Sequence, residues 1–165
     1  MSIWRPDPTF YPSPKMAMEA PPEKLAYVAM VNGRSNGRHD AMGVVDVDPA
    51  SSSCGNLVGQ VDMPNAGDVL HHFGWNTCSA CVCPHAPHPL VERRYLVVPG
   101  IHSSRIDIID TKADPRTPKI VKMIELQTLA ARAGYTSPRM VHCGPDGIFL
   151  SALGSPEAAV PAESS

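Results

Sequence analysis

The sequence predicts an all-β protein of antiparallel meanders, and three observations carry that expectation. Short apolar runs recur between turn signals, with 18 prolines and 12 glycines spread through 165 residues. Two segments echo one another. G-V-V-D-V-D-P (43–49) and R-I-D-I-I-D-T-K-A-D-P (105–115) each run strand, aspartate, Asp-Pro turn and next strand. A single stretch, 125–133, has the composition of a helix. Stacked meanders of this kind build propeller blades of roughly 40–45 residues, and an ordinary β-sandwich satisfies the same pattern. The pattern alone leaves both open.

The elements follow in order. Residues 1–24 hold Pro6, Pro8, Pro12, Pro14, Pro21 and Pro22. Proline removes a backbone donor, so an extended surface arm is expected, without helix or central strand. Leu25–Val31 reads as the first strand, and 32–40 as a polar loop. Met42–Val47 is the second strand, ended by the turn signal Asp48-Pro49. Asn56–Met63 is the third, closed by Pro64-Asn65. Tyr95–Val98, Arg105–Ile109 and Lys119–Ile124 are the next three. Glu125–Ala133 is the helix, with Leu126, Leu129 and Ala130 on one face and Gly134 just past its end. Met140–Cys143 and Ile148–Leu150 form a hairpin around Gly144-Pro145-Asp146-Gly147. The tail from 155 to 165 reads as disordered.

Composition narrows the function classes. The net charge is −2 and the pI near 6.4, so no phosphate-neutralising basic face is expected and nucleic acid is a poor partner. No run of eighteen apolar residues exists to span a membrane. The start M-S-I-W-R-P-D-P lacks the charged and apolar regions of a signal peptide, which points to the cytoplasm. Five cysteines, three of them crowded, favour reduced metal-binding or reactive thiols over a disulfide framework.

The chemistry concentrates in Leu70–Cys83, L-H-H-F-G-W-N-T-C-S-A-C-V-C. Imidazoles and thiolates hold copper and zinc, and a thiolate is a strong nucleophile. Gly74, Asn76 and Pro84 put the block on a loop or strand end. Cys78-x2-Cys81-x-Cys83 with His85 and His88 has the outline of a zinc knuckle. A structural zinc site draws its second ligand pair from a distant turn, so a solvated loop is the preferred reading for Cys83, His85 and His88. Adjacent His71 and His72 face opposite sides of a regular strand, and only a bend lets both bind one ion. The alternative is one buried and one exposed histidine. Asp68 is a candidate partner behind them, and Trp75 a core residue. His142-Cys143 is a second His/Cys pair at a strand end, and Cys54 in S-S-S-C-G is a candidate exposed thiol. His39 and His102 read as ordinary loop histidines. No Walker loop, G-x-S-x-G or dinucleotide fingerprint is present.

Several strings together resemble the N-terminal part of the selenium-binding protein family, which includes methanethiol oxidase. They are V-D-V-D-P (within 43–49), M-P-N (63–65), L-H-H-F-G-W-N-T-C-S-A-C (70–81), S-S-R-I-D-I-I-D (103–110), D-P-R-T-P-K-I (114–120), H-C (142–143) and S-A-L-G (151–154). The resemblance covers roughly residues 11–154. It implies a seven-bladed β-propeller, of which 25–154 would form the first two to three blades with one short helix. It also implies copper-dependent oxidation of methanethiol to formaldehyde, hydrogen peroxide and hydrogen sulfide. Histidines at the positions of His71, His72 and His142 would hold the copper. Cys78 and Cys81 match the family's thiol pair, and Cys54 lies near its selenium-linked cysteine. The competing implication is a non-enzymatic selenium- or thiol-binding protein. Family members are much longer, so a truncated copy is expected: inactive alone, self-associating through open sheet edges, with apolar faces such as those of Ile148 and Leu150 exposed.

Overall fold

A computed structural model describes residues 7–32, 37–77, 90–144, 147–155 and 157. The described chain is mostly β-sheet. Strands β1 (Leu25–Met30), β2 (His39–Asp46) and β3 (Leu57–Ala66) form one antiparallel sheet in that order. Strands β4 (Gly74–Trp75), β5 (Tyr95–Pro99), β6 (Ile106–Asp110) and β7 (Lys119–Ile124) form a second meander. Strands β8 (Thr136–Gly144) and β9 (Gly147–Gly154) pair as a hairpin. The two echoing segments fall at equivalent places, the β2–β3 and β6–β7 connections. No helix among the described residues is long and apolar enough to cross a membrane.

Two sheets close on one apolar cluster. Met42 and Met63 come from the first, and Leu96, Val98 and Ile109 from the second, with Leu70 between. Every member is at least nine-tenths buried, and fully burying one such side chain contributes about 1.5–3 kcal/mol. Central strand β2 is buried from Asp40 to Val44 on both faces, so it reads as a run rather than an alternation. Trp75 packs against the cluster as expected, edge-on to Tyr27 with ring centroids 5.7 Å apart. Arg93 stacks 5.1 Å above the Trp75 ring. Asn76 ties both flanks of the irregular excursion together. Its Oδ1 accepts from the N–H groups of Arg94 and Tyr95, and its Nδ2 donates to the Glu92 carbonyl.

Three expectations are corrected. The Pro-rich arm contains a helix, α1 (Pro14–Glu19), making two helices with α2 (Leu126–Ala133). Pro14 opens α1, where a missing N–H costs nothing, and Ser13 Oγ caps it by accepting from Met16 N–H. Strand β3 runs through Pro64-Asn65 instead of stopping there. It is an edge strand, and the register slips opposite Pro64, between the His39 and Ala41 pairings. In β9 the exposed apolar side chains are Phe149 and Leu153, on the face opposite Ile148 and Leu150, which are half-buried. Helix α2 matches its expectation, and Gly134 terminates it at φ 70°. The Pro145-Asp146 turn and nearly all of the 155–165 tail lie outside the described residues.

The first two sheets approach very closely at Gly59, where a Cβ would overlap the Arg116 carbonyl oxygen. Tyr27 Oη donates to the Pro115 carbonyl beside it, at 3.0 Å. Gly59→Ala is therefore expected to force the sheets apart, at a cost of about 3 kcal/mol. Thermal unfolding should show a Tm about 5–10 °C lower.

Asp107 is 1% exposed, and neither carboxylate oxygen has a partner among the described residues. Burial pushes its pKa up to about 6, with Asp68 and Glu125 adding to the rise and Arg105 opposing it. A folded-state pKa above the unfolded value means that the protonated form is the one the fold favours. Stability at this residue is full below about pH 4 and is lost as pH rises through 6. Asp107→Asn should therefore be more stable than the wild type above pH 6, and the gap should close below pH 4. Urea melts across that range test the sign.

Candidate metal and thiol sites

The chain reaches the two adjacent histidines through an unusual turn. Val69 is held at φ 56°, a left-handed conformation that a β-branched residue rarely adopts. Buried Asp40 on β2 holds this turn. Its Oδ2 accepts from Val69 N–H at 2.6 Å and from Leu70 N–H at 3.4 Å, while Oδ1 accepts from Asn32 N–H at 2.7 Å. Leu70 then bridges to Gly100, and His72 bridges in parallel to Met140 of β8.

This bend supplies what a regular strand would not. The His71 and His72 rings lie together at the surface, with centroids 4.1 Å apart and Nδ1 hydrogen-bonded to Nδ1. Loss of solvent around the His71 ring, with the His72 ring and Arg139 beside it, lowers its pKa. That favours the neutral imidazole, the form that binds a metal.

His142 stands two residues beyond Met140 on β8. Strand alternation puts it on the same face as Met140, the residue to which His72 is bridged. His142 Nδ1 lies 2.9 Å from the Cys143 carbonyl oxygen. A carbonyl only accepts, so Nδ1 carries the proton and the Nε2 lone pair is open. The structure thus brings His71 and His72 into contact and leaves His142 separate. Among the described residues, no three histidine, cysteine, aspartate or glutamate side chains converge as a metal group.

Asp68, expected behind the histidines, serves a different turn. Its Oδ1 accepts from Ser103 N–H at 3.0 Å, and its carbonyl from His102 N–H. The buried carboxylate packs against Gly100, within the turn of residues 100–103. His102 has a structural bond of its own, to the Gly67 carbonyl at 3.0 Å. His39 begins β2 rather than lying in a loop, and bonds the Met63 carbonyl. Asp40 is the residue that sequence reasoning missed. Nothing around it in the sequence marks it, because the turn residues that it holds lie 29 and 30 positions away.

Cys54 is exposed and free, on the turn after β2. Asp46 organises that turn. Its buried carboxylate accepts from Ser53 Oγ at 2.6 Å, Ser51 Oγ at 2.8 Å, Asp48 N–H at 3.0 Å and Arg116 Nη2 at 3.1 Å. The two serine hydroxyls, then the Asp48 N–H, hold its pKa well below the usual carboxylate range. Cys143 is disulfide-bonded, where the cysteine count and crowding favoured reduced thiols over a disulfide framework. An odd cysteine count requires only that one thiol stay unpaired, and Cys54 meets that requirement. Cys78, Cys81, Cys83, His85 and His88 lie outside the described residues. Alkylation of the native protein without reductant should label Cys54 fully and Cys143 only after reduction. Mass spectrometry of Cys54→Ser beside the wild type checks the assignment.

Comparison with known proteins places these features in a family. The model of the 56 kDa selenium-binding protein family matches residues 4–163. Selenium-binding protein 2 of Arabidopsis thaliana is 42% identical over 149 residues, covering 89% of this chain and 30% of the relative. A methanethiol oxidase of Xenopus laevis is 39% identical, covering 88% and 30%. The crystal structure of a hypothetical selenium-binding protein from Sulfolobus tokodaii superposes with a TM-score of 0.82 at 55% identity, covering 92% of this chain and 33% of that one. The chain therefore spans about a third of the length of the relatives it matches, and it belongs to the selenium-binding protein family.

Proposed function

We propose that this chain carries part of the copper site of a thiol oxidase, within the first blades of a β-propeller. The overall reaction would convert methanethiol, dioxygen and water to formaldehyde, hydrogen sulfide and hydrogen peroxide. The observation that supports this reading is the contact between the His71 and His72 rings, on a segment bridged to the strand that bears His142. Imidazole nitrogens suit copper. The donor set fits as a partial site: two rings in contact, and a third whose Nε2 is left open by its bond to the Cys143 carbonyl. His71 and His72 would hold the ion, with His142 as the further donor. When bound, copper supplies one-electron redox chemistry and an acceptor for a thiolate. The protein's own part is to favour the neutral His71 imidazole, to fix the turn of the pair, and to present both rings at the surface where a small thiol can reach them.

A second reading has its own support. Cys54 is a free thiol at the surface of a turn fixed by Asp46, which suits a non-enzymatic selenium- or thiol-binding role. One copper per chain with peroxide release on methanethiol favours the oxidase. Selenium on a cysteine without copper favours the binder.

His71→Ala and His142→Ala should each weaken copper binding at least about tenfold, since each removes a donor from a small set. His88→Ala should change it little. Competition against a chromophoric copper chelator measures all three, and equal losses would sink the ligand assignment. The 165-residue polypeptide should turn over no methanethiol beside a full-length relative, and should self-associate through the edge of β9 that no strand pairs among the described residues. A monodisperse monomer with comparable turnover would show that it is self-sufficient.

A further inference from the structure

We propose that Asp40 is the positioning residue of the His71–His72 pair, acting through the left-handed turn at Val69. The geometric part of this inference stands alone, and its consequence for the metal rests on the copper reading above. Among the described residues, each histidine ring has the other as its hydrogen-bond partner, so the side chains do not fix themselves to the fold. Their placement comes from the backbone. On the C-terminal side that backbone is held by β8, through His72 N–H to the Arg139 carbonyl and Val141 N–H to the His72 carbonyl. On the N-terminal side it is held by Asp40.

Asp40 is fully buried on a strand of a different sheet. One of its oxygens receives the N–H groups of Val69 and Leu70, and the other receives that of Asn32. All three protein groups are donors, so the site demands an acceptor on both sides. A carboxylate provides that, and an amide of the same shape does not. Asparagine here would point an NH2 group at backbone N–H groups on one side. The turn at Val69 would then lose its anchor, and only Leu70 separates Val69 from His71. Turning the Val69 peptide away from φ 56° redirects the chain into His71 and His72. Asp40 therefore sets the distance and angle between two imidazoles that it never touches.

The test uses the full chain, first without metal. Side-chain nitrogen chemical shifts of His71 and His72 are measured by NMR in the wild type, Asp40→Asn and Asp110→Asn. Asp110 is a comparable strand-end carboxylate in the second sheet, bonded to Arg94 and to Lys112 N–H and remote from the turn at Val69. Asp40→Asn should shift both imidazoles, and Asp110→Asn neither. Val69→Pro removes the N–H that Asp40 accepts and fixes φ at a negative value, leaving the Asp40 side chain in place, and should move the same signals even if Asp40→Asn fails to fold. Copper affinity should fall about 10- to 100-fold in Asp40→Asn, the range typical of groups that orient metal ligands. The Cu(II) electron paramagnetic resonance spectrum should change with it. Unchanged imidazole signals in both turn variants, or an equal change in Asp110→Asn, would overturn the proposal. A wild-type copper affinity unaffected by His71→Ala would instead defeat the copper reading and leave the imidazole signals to decide this one.

Discussion

Carboxylates buried against backbone N–H groups are the interaction on which the rest of this structure depends. Asp46 and Asp110 end equivalent strands, and each accepts from the N–H two residues on, closing its Asp-Val-Asp or Asp-Thr-Lys turn. Each also takes an arginine, Arg116 for Asp46 and Arg94 for Asp110. The Asp46–Arg116 pair crosses from one sheet to the next. Asp40 and Asp68 clamp the two sides of the segment that leads to the histidines. A β protein rich in short strands has many turn donors to satisfy, and an aspartate with two oxygens can satisfy several at once.

Strain fits the same scheme. Val69, Ser104 and Ser137 are the non-glycine residues with positive φ among those described. Such conformations cost of order 1–3 kcal/mol each and persist only where the surroundings fix them. Val69 is fixed by Asp40. Ser104 and Ser137 fix each other, with Ser137 N–H donating to Ser104 Oγ at 2.8 Å across the junction of the second meander and the hairpin. The strained positions are thus the points at which one sheet is fastened to the next.

Much of the fold was legible from local signals. Strand β7 and helix α2 stand out in the sequence, because β7 is an edge strand of its sheet and α2 carries its own cap and apolar stripe. Helix α1 was hidden because proline counts against a helix everywhere except its first turn. The extension of β3 past Pro64 was hidden because an edge and a slipped register excuse the missing donor. At the site, the histidines and Cys54 announce themselves by residue type. Asp40 does not, since a buried aspartate in R-H-D looks like any loop-end acid until its partners are seen in space. The pairing of His71 with His72 needed the left-handed Val69, and no local preference of valine predicts it.

The hairpin of β8 and β9 gives His142 a distinct thermodynamic character. Two-stranded hairpins are marginal on their own in water. This one is joined to the second meander by the short bridge at His72 and the Ser104–Ser137 bond. It is therefore the unit expected to exchange its amide hydrogens first, while β2, β5 and β6 exchange only on global unfolding. Any ion shared between His72 and His142 would span that boundary. Its binding free energy would go into slowing the opening of the hairpin, and the exchange rates of β8 would report the occupancy of the site.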